Sequence, residues 1–382
     1  GIYLYAHCAH LVIGNNIITG NGGGFGGGIT IGKPYSGSCH NPGIRIHHNR
    51  IIKNGGVSLA GGIAVFNGAD GYEIDHNEVI GNYSGEYGGG LSHLGLSDGG
   101  GIHHNVFLYN ESFDEGGGVL VGGEQPMPPA ALGAGSGRVA VYANLIQGNL
   151  ANDDGGGLRL LRTLNHAIEI FNNVIANNVS TDLGGGIALD DAANVAIYNN
   201  TVAGNITTAT AEDSDGRPHG AGLASEAHSA AFRATLPMDA PGFSDPVLFN
   251  NIFWDNRAGF YDQALGGGAG GIAGIGAPGD GHPVNVMDLE VFGTPGLFNP
   301  RYCCLSRPYP AGRGNQVGDP GFERPHTTEL AVTALRKEPA FKTVRIVNAA
   351  PGPAGDYHLT GRSALAVDRG TRAVTVNGTG AA

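Results

Sequence analysis

Eight segments of the chain carry the pattern Asn-x-apolar-x-x-Asn, with the two asparagines always five residues apart. The pairs are Asn16/Asn21, Asn49/Asn54, Asn77/Asn82, Asn105/Asn110, Asn144/Asn149, Asn173/Asn178, Asn200/Asn205 and Asn251/Asn256. The residue two after each first asparagine is apolar, as in Ile51, Val79 and Phe107, and so is the residue three before it, as in Ile46, Ile74 and Ile102. From Asn49 to Asn200 the first asparagines follow one another at 28, 28, 39, 29 and 27 residues. A fixed period takes precedence over length, because stacked repeats share one continuous core and add coils without adding domains. This period is too short for a propeller blade, carries no helical pattern and lacks the leucine scaffold of leucine-rich repeats. Short apolar runs broken by Asn and Gly predict strands alternating with tight turns. The expected fold is all-β: a right-handed single-stranded parallel β-helix of about 8–10 coils, with about three short strands per coil.

In such a solenoid the coils stack at the strand spacing of about 4.8 Å, so equivalent residues form columns. An asparagine side chain both donates and accepts, and a column of them can bond to itself and to turn backbone. That satisfies polar groups whose unpaired burial is unfavourable. Asparagine also tolerates the left-handed backbone of sharp corners. A second marker follows six residues after the second asparagine: Gly88-Gly89-Gly90, Gly116-Gly117-Gly118, Gly155-Gly156-Gly157 and Gly184-Gly185-Gly186, each leading into an aliphatic residue. Glycine there relieves crowding around a Cβ where the backbone turns or lies flat. Four of the Asn-x-Ser/Thr sequons (Asn82, Asn110, Asn178, Asn205) are ladder positions, and are read as structural rather than as glycan acceptors.

Residues 1–260 read as regular coils with insertions at about 122–137 and 207–244, the second containing Glu212-Asp213-Ser214-Asp215-Gly216. Residues 261–382 read as a Gly/Pro-rich excursion and the closing coils of the same solenoid. Insertions in solenoids collect on one face, often the binding face. The net charge of −12 argues against nucleic acid as a partner and permits bound cations. No apolar run reaches the roughly 18–20 residues of a transmembrane helix. The chain opens at Gly1 inside a strand-like run and is expected to be part of something longer. Cys8 and Cys39 fall on neighbouring coils, which leaves open either a disulfide or two free thiols. Cys303 and Cys304 could form a vicinal bridge or pair outside the chain.

Three constellations could carry chemistry. The residue two before each triple glycine is acidic: Glu86, Asp114, Asp153 and Asp182, with Glu115 and Asp154 beside them. Stacked carboxylates repel, and either splay into solvent, take up protons or bind a hard, oxygen-preferring ion such as calcium. On the strand before the first asparagine, alternation points one column outward: His47, Asp75 and His103, followed by Tyr142, Phe171, Tyr198 and Phe249. His47, Asp75 and His103 at one coil spacing could ligate a transition metal, with His48, His76 and His104 adjacent; a polar exposed strand accounts for them as well. The aromatic half of the column could present a platform for sugars or stack on itself. For polysaccharide lyase chemistry the nearest basic candidates are Arg159 and Arg162, close to Asp153, Asp154, Asp190 and Asp191. Arg162 aligns with Asp191 on the next coil, which a structural ion pair also explains. There is no polygalacturonase signature, serine nucleophile elbow or phosphate-binding loop.

The stretch Phe171-Asn172-Asn173 with Gly184-Gly185-Gly186-Ile187 resembles the FxxN and GGA-I/L repeats of bacterial polymorphic outer-membrane proteins. More broadly the chain resembles the bacterial extracellular right-handed β-helix repeat proteins related to pectate lyases. Gly318-Asp319-Pro320-Gly321-Phe322, Asp356-Tyr357-His358-Leu359 and Ser363–Gly370 resemble the closing coils of that group; its frequent Asp-Ile-Gly-Ala-type ending is absent. The resemblance implies a bacterial, extracellular or cell-surface protein. It fixes no single activity, since the group mixes adhesins, structural surface proteins and polysaccharide-degrading enzymes. The expected function is a non-enzymatic surface, structural or adhesin-like module of a larger chain or assembly. Protein partners or neighbouring segments would cover its coil ends. The alternative is a calcium-dependent polysaccharide lyase or glycoside hydrolase.

Overall fold

The structure is a computed structural model that describes residues 1–126, 131–333, 342–361, 363–371, 374–376 and 379–381. Among the described residues, four parallel sheets of nine, eight, ten and eight strands stack into one parallel β-helix. One coil shows how they are made: Val119–Gly122 joins the first sheet, Val139–Tyr142 the second, Leu145–Gln147 the third and Leu150–Ala151 the fourth. The period suggested about three strands per coil. The fourth is two residues long, too short to leave an alternating signature.

Register is constant through the stack. In the second sheet Ile46, Ile74, Ile102, Val141, Ile170, Ile197 and Leu248 pair in sequence, and in the third Ile51, Val79, Phe107, Ile146, Ile175, Val202 and Phe253 do the same. Both columns are buried and line the single core.

Two asparagine ladders run beside these columns. In each, the Nδ2 of one asparagine donates to the Oδ1 of the next at 2.9–3.1 Å. The same Oδ1 accepts the backbone N–H of the preceding asparagine, and each Nδ2 from the second coil on also donates to a carbonyl one coil back, as Asn149 does to Phe107 O at 3.1 Å. At its far end the second ladder donates from Asn256 to Asp288 Oδ1 at 2.8 Å. The left-handed corner residue is not the ladder asparagine but the one before it. His48, His76, His104, Ala143, Asn172, Asn199 and Asn250 have φ of 53–57°. Asn82, Asn110, Asn178 and Asn205 are at most 1 % exposed, so these sequons are buried in the ladder.

The three glycines of each marker are needed for three different reasons. Gly116 has φ of 73°. A Cβ on Gly117 would lie 2.4 Å from Leu150 backbone, and one on Gly118 would lie 2.6 Å from Gly157 O and 3.0 Å from Asn149 Nδ2. Backbone on a stacked neighbour cannot retreat, which favours glycine at these positions.

The insertion at about 207–244 is not one excursion. It contains the first-sheet strand Leu223–Ser225, and the helical turn Ala230–Arg233 follows, capped by Ser229. Past residue 260, among the described residues, only Leu289–Val291, Cys304–Leu305 and Gln316–Val317 continue the solenoid sheets. Beyond them the chain forms antiparallel pairs, Phe322–Arg324 with Asp356–Leu359 and Leu330–Thr333 with Thr343–Ile346. This part of the expected closing coils lies back along the flank. Gln147 and the Ala354 backbone exchange two hydrogen bonds, Tyr357 donates to Asn177, and Asn177 donates to His326 O. Val344, Leu330, Val332 and Ile346 cover Leu150, Val179 and Ile206 of the fourth sheet.

All four cysteines are free thiols. Cys8 is level with Asn41, whose Oδ1 accepts the Cys8 N–H at 2.9 Å. Cys39 is therefore two residues out of register with Cys8. Cys303 Sγ bonds to Arg301 O and Cys304 Sγ to Gly318 O. Neighbouring residues on a strand face opposite sides, which keeps these two thiols apart.

Candidate functional site

The site grows out of the glycine-marked turns between the fourth and first sheets. In the first sheet Leu158 and Leu160 point into the core, so Arg159 between them points out. It is nonetheless only 3 % exposed, because carboxylates close over it: Glu115 at 2.6 Å, Asp154 at 3.1 Å and Glu226 at 2.8 Å. Glu115 and Asp154 come from successive turns, and Glu226 follows the strand Leu223–Ser225. A buried guanidinium is tolerable only when its charge is paired. Three carboxylates on one cation leave the region anionic.

Beside this hub lies a cleft of about 390 Å³ lined by Phe113, Asp114, Asn152, Asp153, Glu212 and Asp213. Carboxylate oxygens of Asp114, Glu115 and Asp153 lie within 4.8 Å of one another, as do those of Asp153, Asp154 and Asp182. Burial, followed by the neighbouring charge of Glu115, pushes the Asp114 carboxyl up to about 7. Burial is also the leading cause that raises Asp153, Asp154 and Asp182, and it takes Asp190 to about 7. Asn152 is 4 % exposed and donates from Nδ2 to Ser112 O at 3.2 Å. Its Oδ1 is buried with no hydrogen-bond partner among the described residues.

The acidic ridge read from the sequence is thus largely assembled: Asp114, Asp153 and Asp182 converge, while Glu86 stands at the edge and acts on Asp114 through its charge. Sequence reading missed Glu226 and Asn152. Asn152 was discoverable as the polar neighbour of Asp153, but Glu226 lies in a coil whose markers are lost.

The basic candidates for lyase chemistry are differently placed. Arg159 is sealed by its three partners. Arg162 follows Leu161, which pairs with Asp190, and so stands level with Asp191, but the two side chains part: Arg162 Nε reaches Gly123 O at 3.5 Å. Asp191 instead accepts from the Ser229 N–H and hydroxyl at 2.8 and 2.5 Å and faces His228 at 3.3 Å, anchoring the helical turn of the insertion.

On the second sheet, Asp75 is 1 % exposed and held by Arg45 at 2.9 and 3.0 Å and by His76 at 2.9 Å. This pulls the Asp75 carboxyl down to about 2 despite burial, which acts the other way. Asp75 therefore does not join His47 and His103 as a free ligand. The histidines meet their neighbours: His47 Nδ1 lies 3.0 Å from His48 Nδ1, and His103 Nδ1 lies 2.9 Å from His104 Nδ1. His48, His76 and His104 stack face to face at 4.9 and 5.0 Å. Further along, Tyr142, Phe171, Tyr198 and Phe249 stack at 4.8, 5.1 and 4.9 Å with interplanar angles of 2–5°. The rings cover one another's faces, which is cross-coil packing rather than a flat platform.

Comparison of the chain with protein-family models, with curated proteins and with solved structures finds no match.

Proposed function

We propose that this chain is a non-enzymatic, extracellular β-helix module whose acidic cleft binds a hard divalent cation, with calcium the best fit. The observation that carries the reading is the buried Asn152 Oδ1, an acceptor without a donor, beside Asp114 and Asp153. Calcium takes six to eight oxygen ligands, including carboxylates and amide carbonyls, in flexible geometry. Filling the cleft with such an ion would relieve both the repulsion among the carboxylates and the unpaired amide oxygen. Sites of this kind in extracellular modules work at about 10⁻⁴–10⁻³ M. The rigid stack then serves to present loops, in keeping with a surface or adhesin-like role.

The alternative, a calcium-dependent polysaccharide lyase, needs a basic side chain that can reach substrate. Arg159 is spent on three carboxylates and buried, so the binding reading is favoured. Calorimetric titration with calcium tests it. Binding that disappears in Asp114→Asn/Asp153→Asn supports the site. Absence of binding at millimolar calcium in the parent protein overturns it. Calcium-dependent release of unsaturated uronate from a polysaccharide would overturn the non-enzymatic reading instead.

A further inference from the structure

We propose a second, chemically distinct metal site on the second sheet: the His103–His104 pair clamps a nitrogen-preferring divalent transition ion, copper(II) or nickel(II). It is independent of the acidic cleft.

The argument begins with the ring nitrogens. His103 Nδ1 and His104 Nδ1 converge to 2.9 Å with their rings almost perpendicular, at 86°. Metal–imidazole bonds are about 2.0–2.1 Å long. Two nitrogens this close would therefore subtend about 90° at the ion. A tetrahedral ion would want them about 3.3 Å apart. Neighbouring positions of a square-planar or tetragonal ion fit the observed separation, which is the geometry of copper(II) and nickel(II).

The second observation concerns the far side of His103. Its Nε2 lies 2.9 Å from Glu73 Oε2. A carboxylate there holds the proton on Nε2 and leaves the Nδ1 lone pair facing His104. Carboxylates of this kind support most histidine metal ligands. Tyr142 stacks on the His103 ring at 4.6 Å and fixes its plane. A metal ion held by both Nδ1 atoms requires the tautomer of His104 that carries its proton on Nε2.

The arrangement recurs one site away. His47 and His48 repeat the Nδ1 pair at 3.0 Å. Between the pairs stands His76, whose Nδ1 is held by Asp75 at 2.9 Å and whose ring stacks on both His48 and His104. Five imidazoles thus form a row on three successive coils, two of them oriented by carboxylates.

The test is titration of the untagged protein with copper(II), read by electron paramagnetic resonance and by calorimetry. The expected spectrum shows nitrogen hyperfine splitting from at least two imidazoles. His103→Tyr/His104→Asn copies the residue types that other coils carry at these corners (Tyr142, Asn172), so it should fold. With the His47–His48 pair intact, the variant should bind one copper ion fewer, the one held by His103 and His104. Glu73→Gln keeps every imidazole and should weaken binding by about tenfold through loss of orientation. Added calcium should leave the copper signal unchanged. An oxygen-only spectrum, or an unchanged number of bound copper ions in the double variant, overturns the proposal.

Discussion

Asn149→Ala measures what the ladder contributes. The Asn149 side chain takes part in four hydrogen bonds: its Oδ1 accepts from Asn110 N and Nδ2 at 2.9 and 3.0 Å, and its Nδ2 donates to Phe107 O and Asn178 Oδ1 at 3.1 and 2.9 Å. Asn149 is 0 % exposed, so the stranded Asn110 donors and the Phe107 carbonyl cannot turn to water. At about 1 kcal/mol per lost bond, with more for groups left buried and unpaired, the substitution should destabilise by about 3–5 kcal/mol. That is a large share of the roughly 5–15 kcal/mol that holds an ordinary domain folded. Urea unfolding followed by circular dichroism reads it as a shift in midpoint. The control is Asn16→Ala in the first ladder coil, where the side chain is exposed and its Nδ2 bonds to Asn49 Oδ1 and Gly14 O. There the change should stay below about 1 kcal/mol. Equal effects at the two positions would refute the claim that burial in the ladder sets the magnitude. A fall in the slope for Asn149→Ala would show that the coils no longer unfold as one unit.

Other outcomes follow from the same geometry. Carboxyls raised in the fold bind protons more tightly than they do unfolded, so stability should decline as pH rises from about 4 to about 7, the span over which Asp114 and Asp190 lose their protons. Melting curves of the chelated protein should show this decline, and calcium should remove the part that Asp114 contributes; an unchanged profile would contradict cation binding in the cleft. Arg159→Met leaves the buried Asp154 and the partly exposed Glu115 and Glu226 without their cation and should destabilise at neutral pH by about 3–5 kcal/mol, with partial recovery in acid, checked by thermal melting at two pH values. Gly118→Ala drives a methyl against Gly157 O and should block folding of the adjoining coils, seen as loss of soluble protein. Gln147→Ala releases the Ala354 backbone; limited proteolysis should then cut near residue 354 faster while the coils stay intact.

The solenoid was legible because every coil repeats the same contacts: the partner of Asn77 is another asparagine 28 residues on, and one pattern predicts them all. The acidic cleft was half legible for the same reason, since Asp114, Asp153 and Asp182 share a repeat position. What stayed hidden depends on unrepeated contacts. Tyr357 reaches Asn177 across 180 residues and Ala354 reaches Gln147 across 207, and no period announces either. Arg162 and Asp191 follow the paired residues Leu161 and Asp190 as counted, but counting along a column does not tell which way a side chain turns: Arg162 goes to Gly123 O and Asp191 to Ser229. The His47–Asp75–His103 column pairs as read, but the Nδ1 contacts run across the corner that the left-handed His48 and His104 create, which a count along the column does not reveal.

The amide ladders also have a direction. Every link donates the same way, from the earlier coil to the later one, so each ladder is a row of aligned dipoles whose donor end lies at the last coil. Asp288 sits there, and the second ladder ends on its carboxylate much as the positive end of a helix ends on an anion. The opposite end presents Oδ1 acceptors at Asn16. The two faces of the stack are therefore electrically unlike. A segment that packs on the first coil must offer N–H groups, whereas one that packs on the last must come to terms with an end already closed by a carboxylate. Two copies meeting first coil to first coil would bring acceptor against acceptor.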